Sequence, residues 1–179
     1  MTRRSILSAH EKLSLVALPE SDMEFIRHYS LSDADISIIK QKRGNANKLG
    51  FAIQLSYMRY PGITLAEKET PNQDLLDFIA NQIGCHASDW QNYGVREVTK
   101  REHALELQQI FGYRTFSREF YSQHVEYITA LATETTKGII LAEHLVNYLR
   151  GQKILLPTVL VIEKICAQAM TQANKIIYD

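Results

Sequence analysis

Between a glycine-containing turn and a Pro61-Gly62 stop, residues 47–60 read NKLGFAIQLSYMRY. Helical spacing places Leu49, Ile53, Tyr57 and Tyr60 on one stripe and Phe51, Leu55 and Met58 on the opposite side. A helix that is apolar almost all round must be enclosed by other elements, because no face is left for water. The chain is therefore expected to wrap further helices around this segment. At 179 residues, 45% of them hydrophobic, it is long enough for one sizeable core or two small ones.

The remaining punctuation is helical. Ser8-x-x-Glu11 and Ser21-x-x-Glu24 have the form of capping boxes, in which the hydroxyl takes an orphan amide and the carboxylate reaches back. Ser32-x-x-Asp35 is a weaker version. These predict helices near 8–17, 21–29 and 33–42, with Gly44 ending the third. Thr70-Pro71 reads as an N-cap with proline at the first helical position, and Gly84 closes that helix. A short helix is expected at 87–92, and 93–98 reads as a connection. Thr99-x-x-Glu102 predicts a helix to Gly112, Ser117 opens the next, a further one runs over about 136–150 to Gly151, and Pro157 opens the last. Alternation of the kind a half-buried strand needs is scarce, and Ile154-Leu155-Leu156 is too short to assign. The expected fold is all-α, a multi-helix bundle with helix-turn-helix-like pairs. Two small subdomains, 1–62 and 63–179, are its expected division, with one compact domain the alternative.

Charge is balanced, with 20 Lys/Arg and 20 Asp/Glu. That is unusual for a free-standing DNA binder, which needs local positive charge. Residues 1–60, however, hold nine basic and six acidic side chains, enough for a positive face. Two cysteines far apart, Cys85 and Cys166, and a polar N-terminus suggest a reduced, cytoplasmic setting, and no segment approaches the length of a membrane span. Cys85-His86 lacks a second Cys/His pair at ligand spacing, so neither a metal nor a cofactor is expected. His10, His28, His103, His124 and His144 are scattered, with His124 on an apolar face, where a satisfied core histidine is the simpler reading. Glu97, Glu102, Glu106 and Glu119 read as solvated helix carboxylates, and RGNANKLG lacks the Lys-Ser/Thr ending of a phosphate loop.

Two polar clusters are candidates for gripping DNA. In the first, Lys42, Arg43, Asn45, Asn47 and Lys48, with Lys40 before them, lie where a helix begins and could clamp phosphate. A solvated turn explains the same residues. The second contains Lys100, Arg101, Arg114, Thr115, Ser117, Arg118, Ser122 and Gln123. Here two helices around the GYRTF turn have the layout of helix-turn-helix, whose second helix offers its first polar residues to base edges. Any antiparallel helix pair shares that layout. Arg3 and Arg4 could form a minor-groove arm or a frayed terminus. Arg150 and Lys153 could touch the DNA backbone or simply suit a helix C-terminus.

The motifs RRSILS, LPES, E-x-x-RHYSLS-x-x-D, RG-x-x-N, LGFAIQL and YMRYPG, in that order, resemble the N-terminal region of transposases of replicative class II (Tn-three-type) transposons. So do Thr99–His103, Leu149-Arg150 with Lys153–Pro157, and Glu163-Lys164. The likeness covers nearly the whole chain. Lys48 and Lys100 stand where arginine is common in that family, keeping the charge but not the bidentate geometry. The resemblance implies an all-helical region that binds the transposon's terminal inverted repeats as double-stranded DNA, and it adds Arg59 of YMRYPG to the candidates. It also implies that strand cleavage belongs to a distant RNase-H-like domain with three metal-binding carboxylates, before which this chain is expected to end, as a shortened piece or a short gene product. A DNA-binding module is thus the leading expectation, with Lys42–Lys48 as clamp and the helix from Ser117 as the reader of bases. A detached interaction protein that binds full-length transposase or its own copies, or masks DNA ends and so inhibits transposition, is the alternative. An independent metal-dependent enzyme is the third reading, for which no carboxylate set can be assigned.

Overall fold

A computed structural model of the chain describes residues 4–65 and 68–179. Nine α-helices occur among the described residues: α1 Ala9–Ser14, α2 Asp22–Tyr29, α3 Asp33–Lys40, α4 Asn45–Arg59, α5 Gln73–Ile83, α6 Glu97–Phe111, α7 Tyr121–Ala132, α8 Gly138–Gly151 and α9 Val159–Tyr178. Two 3-10 turns, Ala87–Asn92 and Arg118–Phe120, complete the inventory. The all-α expectation holds.

The caps read from the first third are present. Ser8 and Ser32 close reciprocal capping boxes with Glu11 and Asp35, while Ser21 takes the Glu24 amide. Three later signals were misplaced. Asn72, not Thr70, caps α5, its side chain accepting from Leu75 N at 3.1 Å. Thr99 lies inside α6, which starts at Glu97. Thr158 is the N-cap of α9, so Pro157 precedes the helix rather than opening it. The segment 154–156 contributes only an isolated parallel bridge, in which Arg114 N donates to Lys153 O at 2.9 Å and Leu155 N to Arg114 O at 2.8 Å.

The chain forms two units, one from residues 1–17 and 114–179, the other from 18–113. They are not divided at 62/63, and the physical reason lies in where α4 and the N-terminal segment pack. In the 18–113 unit α4 is the axis, buried continuously from Leu49 to Met58. It packs against α2, α3, α5, α6 and the 87–92 turn, so it needs elements from beyond residue 62. One glycine of LGFAIQL serves this packing: a Cβ at Gly50 would overlap the ring of Tyr93. That ring is 4% exposed. Tyr93 OH accepts from Gln54 Nε2 at 2.6 Å and meets His103 Nδ1 at 2.9 Å. Because Gln54 donates to the oxygen, the tyrosine proton is available to a neutral His103.

In the other unit, α7, α8 and α9 enclose a core that includes Ile128, Leu141, Leu145, Leu149, Ile162 and Ile165, with Leu7 and Leu15 packed into it. Glu163 on α9 accepts from Ser5 Oγ at 2.7 Å and Leu7 N at 3.2 Å. Arg150 Nη2 donates to Leu15 O at 2.9 Å. These bonds, with the burial of Leu7 and Leu15, assign residues 5–15 to the C-terminal helices.

Burial lowers the basicity of His103, aided by the nearby Lys42, and of His124. Both rings therefore bind a proton less readily folded than unfolded. Stability should be complete above the ordinary histidine value of 6.5, fall as the pH drops below it, and level off once the folded values are passed. Thermal unfolding between pH 7.5 and 5 checks this, with a falling midpoint the expected result.

Candidate nucleic-acid interface

The first cluster spans the α3–α4 turn. Gly44 takes φ +84° and is the N-cap of α4 without a side-chain cap bond, so the first amides of α4 receive no side-chain acceptor there. The helix starts at Asn45, earlier than the expected 47. Arg43 and Asn45 are exposed and Lys48 is half-buried. Asn47 Nδ2 donates to Arg43 O at 3.0 Å and pins the turn. Lys42 is engaged inwards: its ammonium pairs with Glu106 of α6 and lies 4.7 Å from the centre of the Phe51 ring.

Arg59, at the end of α4, is also engaged inwards. Its guanidinium grips Asp35 through both nitrogens, at 2.7 and 2.9 Å, and lies 5.1 Å from the Phe111 ring centre. The Arg59 hydrogen bond is the largest influence on Asp35 and holds its carboxyl below the ordinary value, against the opposing effect of burial. Asp35 also accepts from Ser32 N, so one carboxylate both caps α3 and holds α4.

The second cluster is divided between the units. Lys100 and Arg101 lie on α6. The Lys100 amino group sits over Trp90 and Tyr93, 5.4 and 5.8 Å from the ring centres, and its carbonyl accepts from Gln54. Arg101 is exposed. The remaining candidates belong to the unit of 1–17 and 114–179. The two helices expected to pair thus belong to different units: α6 packs on α4, and α7 packs on α9 and α8.

Within that unit the candidates fall on the 114–122 stretch. Ser117 caps the 3-10 turn rather than α7, its Oγ accepting from Glu119 N at 3.2 Å. Arg114, Thr115, Arg118 and Ser122 are all exposed. The bridge pairs Arg114 with Ile154, and the residue before it, Lys153, is an exposed cation whose φ of +54° lies in the left-handed region that favours glycine. Ile154 N donates to Leu149 O at 3.0 Å and closes the C-terminus of α8 around that residue. The sequence offers Lys153 as a DNA-backbone contact or a helix-end charge, and nothing local announces its main-chain partner 39 residues away.

Folding also regroups charge. Segments 1–17 and 114–179 together carry ten Lys/Arg and seven Asp/Glu, whereas 18–113 carries ten and thirteen. The basic unit is therefore not the first third of the chain.

Arg3 lies outside the described residues, and Arg4 is exposed. The Cys85 thiol is buried, with burial raising its pKa, and lies 3.8 Å from the Asn45 carbonyl. Among the described residues no three His, Cys, Asp or Glu side chains gather at metal-binding geometry. No described helix is long and apolar enough to cross a membrane.

Helical architecture and sequence together define the class. Residues 6–169 match the family described as a domain of unknown function, DUF4158, and the chain belongs to it. It is 50% identical over its whole length to the transposase for transposon Tn21 of Escherichia coli. Identity is 49% with the transposase for Tn3926 of Escherichia coli and 40% with that for Tn501 of Pseudomonas aeruginosa, each over 99% of the chain. The kinship with class II transposases read from RRSILS, LGFAIQL and YMRYPG is thereby shown. The chain spans 18% of the length of each of these relatives.

Proposed function

We propose that this chain is a DNA-binding module that recognises the terminal inverted repeats of a transposon, and that strand cleavage and transfer belong to other parts of such proteins. The observation that carries the reading is the exposure of Arg114, Thr115, Arg118, Ser122 and Lys153 on the more basic of the two units. Kinship with three transposases supports DNA as the ligand. Arg43 and Lys48 at the uncapped start of α4 supply a second backbone contact, because exposed amides at a helix start favour phosphate. Arg118 and Ser122, before and in the first turn of α7, are the residues for base edges, with the α3–α4 turn as clamp.

Titration of a short duplex by fluorescence anisotropy at several salt concentrations tests the reading. Log affinity should fall linearly with log salt. Arg118→Ala is expected to weaken binding about fivefold or more and to relax sequence preference, whereas Arg43→Ala at the clamp should weaken binding uniformly and reduce the slope by about 1. A slope near zero for the unaltered chain overturns DNA binding.

Lys153 supplies a second test, since a cation in a glycine-favouring conformation points to function outweighing local stability. Lys153→Gly is expected to stabilise the chain by about 0.5–1 kcal/mol while weakening duplex binding. Loss of stability, or unchanged affinity, goes against this role.

A second reading rests on α6, whose Val98 and Leu105, seven residues apart on one face, are exposed. Such a face suits binding to a full-length transposase, and pull-down with one, with and without Leu105→Lys, separates inhibition by protein contact from DNA binding.

A further inference from the structure

Beside Arg114 lies a groove that shares Arg114 and Thr115 with the proposed duplex contacts, but whose aromatic floor those contacts leave unused. Its floor is aromatic: Phe120 is 46% exposed, Tyr148 is 36% exposed, and His124 lies beneath. Its rim is polar, formed by Gln123, Gln152 and Arg114, whose Nη2 lies 3.5 Å from the Gln152 carbonyl. His124 and Tyr148 are held before any ligand arrives. His124 stacks on Phe116 with centres 5.3 Å apart, and Tyr148 lies 6.3 Å from His124 and 4.5 Å from Tyr127. Tyr127 in turn hydrogen-bonds His144 at 2.8 Å.

Open aromatic faces beside amides and a cation match one ligand chemistry closely. A nucleobase offers a π-face to the rings and hydrogen-bonding edges to the amides, and its phosphate offers charge to the guanidinium. An apolar peptide side chain would leave the rim unused. The lining holds one arginine and no carboxylate, so its charge suits a polyanion. Glu119 and Glu126, the nearest acidic residues in sequence on this stretch, are exposed and outside the lining. A paired duplex cannot fill the groove, because stacked bases present only edges.

We propose that this groove receives one unpaired nucleobase of a bound DNA strand, so that the chain prefers DNA carrying an extruded or unpaired base over fully paired DNA. The inference rests on the DNA-binding reading above.

The test compares three probes containing 2-aminopurine: a paired duplex, the same duplex with the 2-aminopurine as a single-base bulge, and the single strand. The bulged probe should bind about tenfold more tightly than the paired one, with its fluorescence quenched by stacking. Phe120→Leu with Tyr148→Leu keeps apolar volume but removes the ring faces, and it should abolish both preference and quenching. Tyr148→Phe keeps the ring and should keep both. Equal binding of bulged and paired probes without quenching overturns the inference and leaves duplex binding standing. So does a preference that survives the double leucine variant. Failure of every probe to bind at low salt overturns the DNA-binding reading itself.

Discussion

Gly50→Ala is expected to destabilise the 18–113 unit by about 2–3 kcal/mol, a large share of what a domain of this size has in hand. Helix propensity alone argues for the opposite sign, since alanine inside a helix is favoured over glycine by about 1 kcal/mol. The contact with Tyr93 decides the outcome. A methyl group at residue 50 overlaps the aromatic ring, and the ring cannot swing aside. It is buried, hydrogen-bonded to Gln54 and His103, and stacked on the His103 ring with centres 5.6 Å apart. Either α4 moves outward or the hydrogen bonds break. Trp90 is the only tryptophan and lies in this unit, so its fluorescence during urea unfolding reports the effect, as a midpoint lowered by about 2 M. In a Tyr93→Leu background the same substitution should cost much less, because the ring it meets is gone. A stabilising Gly50→Ala would show that the ring is not packed as described.

Arg59→Ala is expected to cost the same unit about 2–3 kcal/mol. Removing one partner of a buried ion pair leaves the other charge uncompensated, which costs about 3–5 kcal/mol when both groups are fully enclosed. Here Asp35 is 6% exposed but the Arg59 side chain is 28% exposed, so solvent screening brings the cost below that range. The pH dependence carries a signature. In the unaltered chain the Asp35 carboxyl is held below its ordinary value of 3.8, chiefly by the Arg59 hydrogen bonds. It therefore contributes stability above about that pH, lost as acid protonates the folded carboxyl. Without Arg59 that acid-side loss should largely disappear. Arg59→Lys should recover only part of the stability, since lysine cannot form the paired contact. If Arg59→Ala left stability unchanged but abolished duplex binding, Arg59 would belong to the interface rather than to the α3–α4 junction.

These residues show what was legible before folding. The burial of LGFAIQL was, because an all-round apolar helix permits only one environment. The caps at Ser8, Ser21 and Ser32 were legible because acceptor and donor lie within one turn. Thr70 and Thr99 fit the same pattern, yet the structure uses Asn72 and starts α6 at Glu97. A local cap signal competes with its neighbours and with tertiary packing, and nothing in four residues ranks them. Tyr93 looked like part of a connection because its role depends on Gly50, Gln54 and His103, each brought to it by folding. Arg59 and Lys42 looked available for DNA because their partners, Asp35 and Glu106, lie 24 and 64 residues away. Conversely, Arg114 is tied to the 153–155 segment by main-chain hydrogen bonds across a single bridge, which no periodicity announces. Type and length of the helices were thus readable, while the engagement of each cation was a property of the fold.

Recognition of a transposon end is open to a competition titration. The chain is bound to a labelled duplex carrying the terminal inverted repeat of the neighbouring transposon end, at moderate salt, and challenged with unlabelled repeat or with a scrambled duplex of the same composition. The repeat is expected to compete on the order of a hundredfold or more better than the scrambled duplex. Equal competition by the two duplexes would contradict it.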